Sequence, residues 1–229
     1  MKISTGSYDL NKWLYGGYDS DIITTLYGPG GSGKTNLCMM VAASQAKKGK
    51  KIVFIDTEGG FSVERFNQIT ENNKDAIKNI ILLKPTTFDE QWDAFGKLLK
   101  ELKSGVSLIV VDGMTMLYRL ELAEAEKDID KIKKVNGILA RQMRMLAEIA
   151  RKRQIPIIIT NQVYSDFDDR SKVNMVGGDI LKYWSKCIIE LQNLHGKRKA
   201  ILRKHRSLEE KELIFEIINK GIKRKRSLF

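Results

Sequence analysis

Cysteine is nearly absent from this sequence, since among 229 residues only Cys38 and Cys187 carry a thiol. Two cysteines so far apart exclude a disulfide framework and a zinc site with paired ligand spacing. Long hydrophobic runs are lacking too: Leu108 to Val111 and Pro156 to Ile159 fall far short of the roughly 20 residues that span a bilayer. No apolar signal segment follows Met1, so we expect a cytoplasmic protein with no membrane contact.

Acidic residues are few relative to basic ones. The chain has 28 Asp and Glu against 40 Lys and Arg, a formal net charge of +12, and residues 180 to 229 hold 14 of the basic and 5 of the acidic residues. Such a cluster favours a polyanion partner such as DNA, because binding releases counterions condensed on phosphates. A solvated surface or stabilising ion pairs would explain the same charge.

Internal repeats and low-complexity linkers are also absent. A length of 229 residues with 42% hydrophobic side chains predicts one domain with a sizeable core. Within it, residues 1–21 form a short lead-in, and we expect residues 219–229 to be a basic tail that is disordered at Lys223 to Arg226.

A glycine-rich stretch lies between the first long apolar strand and a predicted helix, and it fits the P-loop pattern G-x-x-x-x-G-K-[ST]. Glycines let backbone N–H groups approach a phosphate chain, and the following helix N-terminus favours negative charge. Lys34 would reach the β- and γ-phosphates, and the Thr35 hydroxyl would hold Mg²⁺. The predicted nucleotide contacts are Gly28, Pro29, Gly30, Gly31, Ser32, Gly33, Lys34 and Thr35.

Polar side chains end three further apolar strands. Asp112 closes one in the manner of a Walker B motif, Glu58 follows another, and Gln162 ends a third. In a doubly wound sheet with right-handed crossovers, these side chains meet Lys34 at one edge. Asp112 would bond the hydration shell of Mg²⁺, and Glu58 would orient and deprotonate the attacking water. We therefore predict an α/β ATPase with a mostly parallel twisted sheet flanked by helices, which uses ATP and Mg²⁺. The alternative for Asp112 and Glu58 is that each is a carboxylate that only stabilises a turn.

In the C-terminal third, apolar and polar residues alternate in a way that predicts three strands, at residues 185–192, 197–204 and 211–218. A His195-Gly196 turn follows the first of them. Residues 163–178 are polar and without period, which predicts a loop. Cations in the second strand and the tail form a candidate non-specific DNA surface. Its members are Lys197, Arg198, Lys199, Arg203 and residues 223–226.

Together these motifs resemble the RecA/RadA recombinase superfamily, and within it the archaeal RadB branch. The resemblance covers residues 3 to about 180 in family order and extends well beyond the P-loop. It implies a RecA-like ATPase core with antiparallel strands at the C-terminal end. The matching segments are Ile3 to Gly6, Leu14 with Gly16 and Gly17, Gly28 to Thr35, Asp56 to Gly59 with Phe61, Glu64 and Arg65, Leu117 to Arg119, Arg141 to Met143, Ile159 to Val163, and Gly177 with Gly178.

The resemblance also implies roles for single residues. Glu58 becomes the water-activating acid and Gln162 the γ-phosphate sensor, while Arg65 stacks on adenine. Arg119 begins the first DNA loop. The alternative role of Arg119 is a charge on the helix surface, and that of Arg65 is a surface salt bridge. The second DNA loop closes at Gly177 and Gly178, and its candidate DNA contacts are Phe167, Arg170 and Lys172.

Departures from the family pattern refine the expected function. We expect the protein to lack the upstream helix-hairpin-helix domain and oligomerisation segment of the full recombinases, which argues against a long filament and is compatible with a small homo-oligomer. Three Asp residues in the second loop weaken DNA contact there. Lys204 to Ser207 stand where the recombinases have an acidic ATP-capping turn, and their cations would contact nucleotide or DNA.

The function that fits both matches and departures is that of an accessory protein of homologous recombination and DNA repair. It would bind ATP and single-stranded or branched DNA without sequence preference, hydrolyse ATP slowly, and modulate the main recombinase or a junction nuclease. The alternatives are a nucleotide-gated scaffold without coupled hydrolysis, a P-loop phosphotransferase, and a KaiC-like signalling ATPase.

Overall fold

The computed structural model describes residues 1–125, 127–165 and 173–225. The strands are β1 (Lys2–Ile3), β2 (Tyr18–Asp19), β3 (Ile23–Tyr27), β4 (Lys51–Asp56), β5 (Ile80–Leu83), β6 (Val106–Asp112), β7 (Ile157–Asn161), β8 (Val163–Ser165), β9 (Val173–Met175), β10 (Cys187–Leu194), β11 (Lys197–His205), β12 (Glu212–Ile218) and β13 (Gly221–Arg224). The helices are α1 (Tyr8–Trp13), α2 (Lys34–Ala46), α3 (Val63–Thr70), α4 (Phe88–Glu101), α5 (Met116–Glu124), α6 (Ile129–Arg153) and α7 (Gly178–Trp184).

Nine of these strands form one sheet in the order β13-β12-β11-β10-β3-β7-β6-β4-β5. The six strands from β10 to β5 run parallel, and β10 to β13 are joined as antiparallel hairpins. Two small pairs, β1 with β2 and β8 with β9, stand apart from it. This arrangement confirms the predicted fold class.

Both faces of the parallel strands are buried, which is why these strands read as unbroken apolar runs. In β4, Ile52 and Phe54 pack on the side of α1, α2 and α3, whereas Val53 and Ile55 pack on the side of α4 to α7. Apolar residues of α6 spaced three and four apart, such as Leu139, Met143 and Leu146, face this second layer as predicted. No helix of the described residues is long and apolar enough to cross a membrane.

Strand β10 begins and ends two residues later than the predicted range 185–192, and two predictions about irregular structure were wrong. Val163–Ser165 pairs with Val173–Met175 inside the segment expected to be a loop. Gly221–Arg224 forms the edge strand β13 rather than part of a disordered tail, with Ile222 buried and the Arg224 N–H donating to Asp9 Oδ2 at 2.9 Å. Edge strands commonly carry charged side chains that prevent pairing with another chain. The sequence of such a strand therefore resembles that of a solvated basic segment.

Candidate nucleotide site

The P-loop occupies residues 28 to 33, between the end of β3 and the start of α2. Gly28 passes so close to β10 that an added Cβ would lie 2.1 Å from the Leu191 carbonyl oxygen, which excludes every other residue type. Gly33 caps α2 at φ 97°, a conformation that strongly favours glycine. The loop therefore leads into a helix N-terminus whose backbone N–H groups attract anions.

Lys34, the first residue of α2, is buried beneath this loop. Its Nζ donates to the carbonyl oxygens of Gly28 at 2.9 Å and Pro29 at 3.0 Å. Burial lowers the pKa of Lys34 from its ordinary value, while the charges of Glu58 and Asp112 act in the opposite direction. The ammonium group is thus held at the point where the loop turns, where a phosphate chain would need it.

Thr35 and Asp112 both lie beside Gly60. A Cβ added to Gly60 would lie 3.2 Å from Thr35 Oγ1 and 3.5 Å from Asp112 Oδ2. Burial raises the pKa of Asp112 to about 6, although the Thr160 hydroxyl donates to its Oδ1 at 2.6 Å and lowers it. An ionised carboxylate is costly in such a place, and a divalent cation beside it would favour the ionised form.

Glu58 and Gln162 complete the edge, because β4, β6 and β7 are neighbours in the sheet and all end there. Gln162 Nε2 donates to Glu58 Oε2 at 3.0 Å. This bond holds one carboxylate oxygen of Glu58 and leaves Oε1, which is buried and has no hydrogen-bond partner in the described structure. The structure thus brings together Glu58 and Gln162, which are 104 positions apart in the chain.

The donor set fits a magnesium-bound triphosphate. Three buried oxygens at this edge lack a partner within the described ranges: Ser32 Oγ, Glu58 Oε1 and Asp112 Oδ2. Buried polar atoms are nearly always paired, so their grouping here indicates a polar ligand. No cluster of three His, Cys, Asp or Glu side chains suited to a metal exists among the described residues. Mg²⁺ needs none, because it is normally held by one or two protein oxygens together with phosphates and water.

Sequence reasoning assigned no role to two residues that hold these groups in place, Thr160 and Asp56. Thr160 accepts from the Gly113 N–H at 2.7 Å and donates to Asp112, so it fixes the end of β6. Asp56 accepts from the backbone N–H groups of Gly60 and Phe61, each at 3.0 Å, and so shapes the turn that carries Glu58. The sequence did show polar residues at the ends of apolar strands. It did not show which groups they bond, because that depends on the order of the strands in the sheet.

Arg65 lies on α3 beside the first turn of α2. Its guanidinium donates to Asn36 Oδ1 at 2.8 Å, to the Ile218 carbonyl at 2.7 Å and to the Asn219 carbonyl at 3.0 Å. These bonds tie α3 to the β12–β13 turn and fix the guanidinium plane next to the P-loop helix. Stacking of Arg65 on adenine stays a prediction.

The predicted DNA-binding cations do not form a single surface. Successive side chains of a strand point to opposite faces, so Arg198 is separated from Lys197 and Lys199. Lys199 pairs with Glu212 at 3.1 Å, and Arg203 pairs with Glu190 at 2.7 Å. Arg198 Nε instead donates to the Gly31 carbonyl of the P-loop at 2.8 Å.

The remaining candidates lie elsewhere. Arg119 is exposed on α5, while Phe167, Arg170 and Lys172 lie outside the described residues. The cations at the end of β11 have partners within the chain, since Lys204 Nζ donates to the Lys182 carbonyl at 2.8 Å and Arg206 Nη1 lies 2.6 Å from Asp21 Oδ2.

Comparisons with known proteins agree with this architecture. A family model described as Rad51 matches residues 1–225. A DNA repair and recombination protein RadB of Methanocaldococcus jannaschii is 42% identical over 218 residues, 93% of this chain and 98% of the relative. One of the same description from Methanococcus maripaludis strain C7 is 40% identical over 215 residues, covering 93% and 96%. A solved structure, described as the RadB recombinase, matches 96% of this chain and 98% of its own at 36% identity with a TM-score of 0.79.

Proposed function

This chain belongs to the Rad51 family, and from that premise we propose that it is an ATP- and DNA-binding accessory protein of homologous recombination and DNA repair. The observation that carries the proposal is the convergence of Lys34, Thr35, Asp112, Glu58 and Gln162 on one edge of the sheet. Its partner would be the main recombinase or a junction nuclease.

The proposed chemistry follows from these side chains. Lys34 and the P-loop N–H groups neutralise and orient the phosphates of ATP. Thr35 Oγ1 and Asp112 are the residues that would hold Mg²⁺, which would supply charge neutralisation to the phosphates of ATP. Glu58 accepts the proton of the attacking water, and Gln162 fixes the Glu58 carboxylate through the 3.0 Å bond.

Hydrolysis is proposed to be slow and only weakly coupled to DNA. We expect steady-state phosphate release from Mg-ATP to change little when single-stranded DNA is added. Stimulation by more than about fivefold, the size of an ordinary allosteric coupling, would contradict the accessory role and indicate a recombinase-type motor. Chromatography of the products tests the phosphotransferase alternative, since transfer to an acceptor would yield ADP without matching free phosphate.

Lysines on the outer face of the C-terminal hairpins are the proposed DNA contacts. Lys197 lies on this face, and Lys223 of β13 stands on it opposite Glu216. We expect the double variant Lys197→Ala/Lys223→Ala to bind single-stranded DNA more weakly, because two phosphate contacts are lost. The slope of log K against log salt should become shallower by roughly 1 to 1.5.

The matched control removes the same charge from the parallel half of the sheet. Lys50 and Lys103 are exposed residues that precede β4 and β6. Lys50→Ala/Lys103→Ala should leave affinity and salt slope close to those of the parent chain. Equal effects of the two double variants would show that binding follows net charge rather than the hairpin face.

A further inference from the structure

The tip of the β10–β11 hairpin contacts the P-loop through two side chains. Asn193 and Arg198 stand directly opposite each other in the hairpin, so their side chains share a face. Asn193 Nδ2 donates to the Gly30 carbonyl oxygen at 3.0 Å, and Arg198 Nε donates to the Gly31 carbonyl oxygen at 2.8 Å. Two consecutive peptide groups of the loop are therefore held by one cross-strand pair.

Nothing else in the described structure fixes this part of the loop by packing. Gly30 and Gly31 are exposed, and a Cβ on either would meet no atom within 4 Å. Glycine backbones lose more conformational freedom on ordering than those of any other residue. Side-chain donors that fix the Gly30 and Gly31 carbonyls thus reduce the entropy that the loop loses when it orders around a ligand.

The orientation of the Gly30 carbonyl is the useful one for phosphate binding. In a trans peptide the C=O and the following N–H point in opposite directions. The Gly30 carbonyl bonded to the hairpin therefore turns the Gly31 N–H away from the hairpin, and phosphates are bound by such N–H groups. The Ser32 N–H, which follows the Gly31 carbonyl, donates to the Pro29 carbonyl oxygen at 3.3 Å. Arg198 also brings a positive charge beside the loop, and a guanidinium has five N–H donors, so further donors remain beyond its bonds to Gly31 and Lys197.

We infer that Asn193 and Arg198 are positioning residues that hold the P-loop ready for the phosphates of ATP, so that the hairpin tip belongs to the nucleotide site. This inference rests on the proposed function, because it assumes that the P-loop binds a nucleoside triphosphate. It assigns Arg198 to nucleotide affinity rather than to the DNA surface suggested by the run Lys197 to Lys199.

The test is titration calorimetry of Mg-ATP and Mg-ADP with single variants of the full chain. We expect Arg198→Ala to raise both Kd values about tenfold and Asn193→Ala about threefold, as for the loss of a charged and a neutral hydrogen bond. Arg198→Lys keeps the charge but not the fixed fork of donors, so its Kd values should lie between those of the parent and those of Arg198→Ala. The melting temperature of each variant without nucleotide should stay near that of the parent, which separates positioning from folding.

Lys186→Ala is the control, since it removes one exposed cation at the opposite end of β10 and should change either Kd by less than about twofold. Parent-like Kd values for both Arg198→Ala and Asn193→Ala would overturn the inference while leaving nucleotide binding intact. If Arg198→Ala did not fold, Asn193→Ala and Arg198→Lys would decide. A parent chain that bound neither nucleotide would overturn the proposed function and this inference with it.

Discussion

Lys34→Ala is expected to reduce Mg-ATP affinity by at least roughly 100-fold, the scale of losing a buried charge-assisted contact to phosphate. The ammonium group is buried at the turn of the P-loop, 2.9 Å from the Gly28 carbonyl oxygen. Low local dielectric strengthens its attraction for phosphate. Equilibrium titration with a fluorescent ATP analogue measures the effect.

Folding has to be separated from binding in this variant, because the alanine leaves the carbonyls of Gly28 and Pro29 without their Lys34 donor. Lys34→Met keeps the length and apolar stem of the side chain and should show the same loss of affinity with better packing. Lys48→Ala, an exposed residue just after α2, is the control. Nucleotide binding by Lys34→Met within about threefold of the parent would refute the phosphate role of Lys34.

The site was largely predictable because its chemistry sits where parallel strands end. Carboxyl ends of parallel strands share one edge, so Glu58, Asp112 and Gln162 were expected near Lys34 before the strand order was known. The glycine pattern likewise predicted the position of the loop between β3 and α2, because residues there adopt backbone conformations that favour glycine. The direct bond from Gln162 to Glu58 was not predictable, since it requires β7 and β4 to flank β6.

The C-terminal half shows what sequence pattern alone leaves undetermined. Lys197, Arg198 and Lys199 are consecutive, yet a period of two places Arg198 on the α2 side and the two lysines on the other. Which face of β11 packs against the P-loop depends on contacts with a segment more than 160 residues away in the chain. The 2.8 Å hydrogen bond from Arg198 to the Gly31 carbonyl oxygen is one of them. The basic residues of β13 concealed an edge strand because such strands tolerate charge.

Glu58→Gln should retain Mg-ATP binding while phosphate release falls by roughly 100-fold or more, the usual contribution of a general base. The substituted amide has the same shape, and its oxygen can still accept from Gln162, so the 3.0 Å contact can persist. An amide has no basic oxygen that can take a proton from water. Single-turnover phosphate release and equilibrium binding on the same sample measure both quantities.

A matched variant, Glu64→Gln, makes the same chemical change at an exposed position in the first turn of α3 and should leave turnover unchanged. If Glu58→Gln hydrolysed ATP at the parent rate, Glu58 would be a turn carboxylate and another group would activate the water. If Glu58→Gln loses turnover as expected, Gln162→Ala becomes informative, because it frees Glu58 Oε2. The double variant Glu58→Gln/Gln162→Ala completes the comparison. If Gln162→Ala lowers turnover in the parent chain but not in the Glu58→Gln background, Gln162 acts by holding the Glu58 carboxylate.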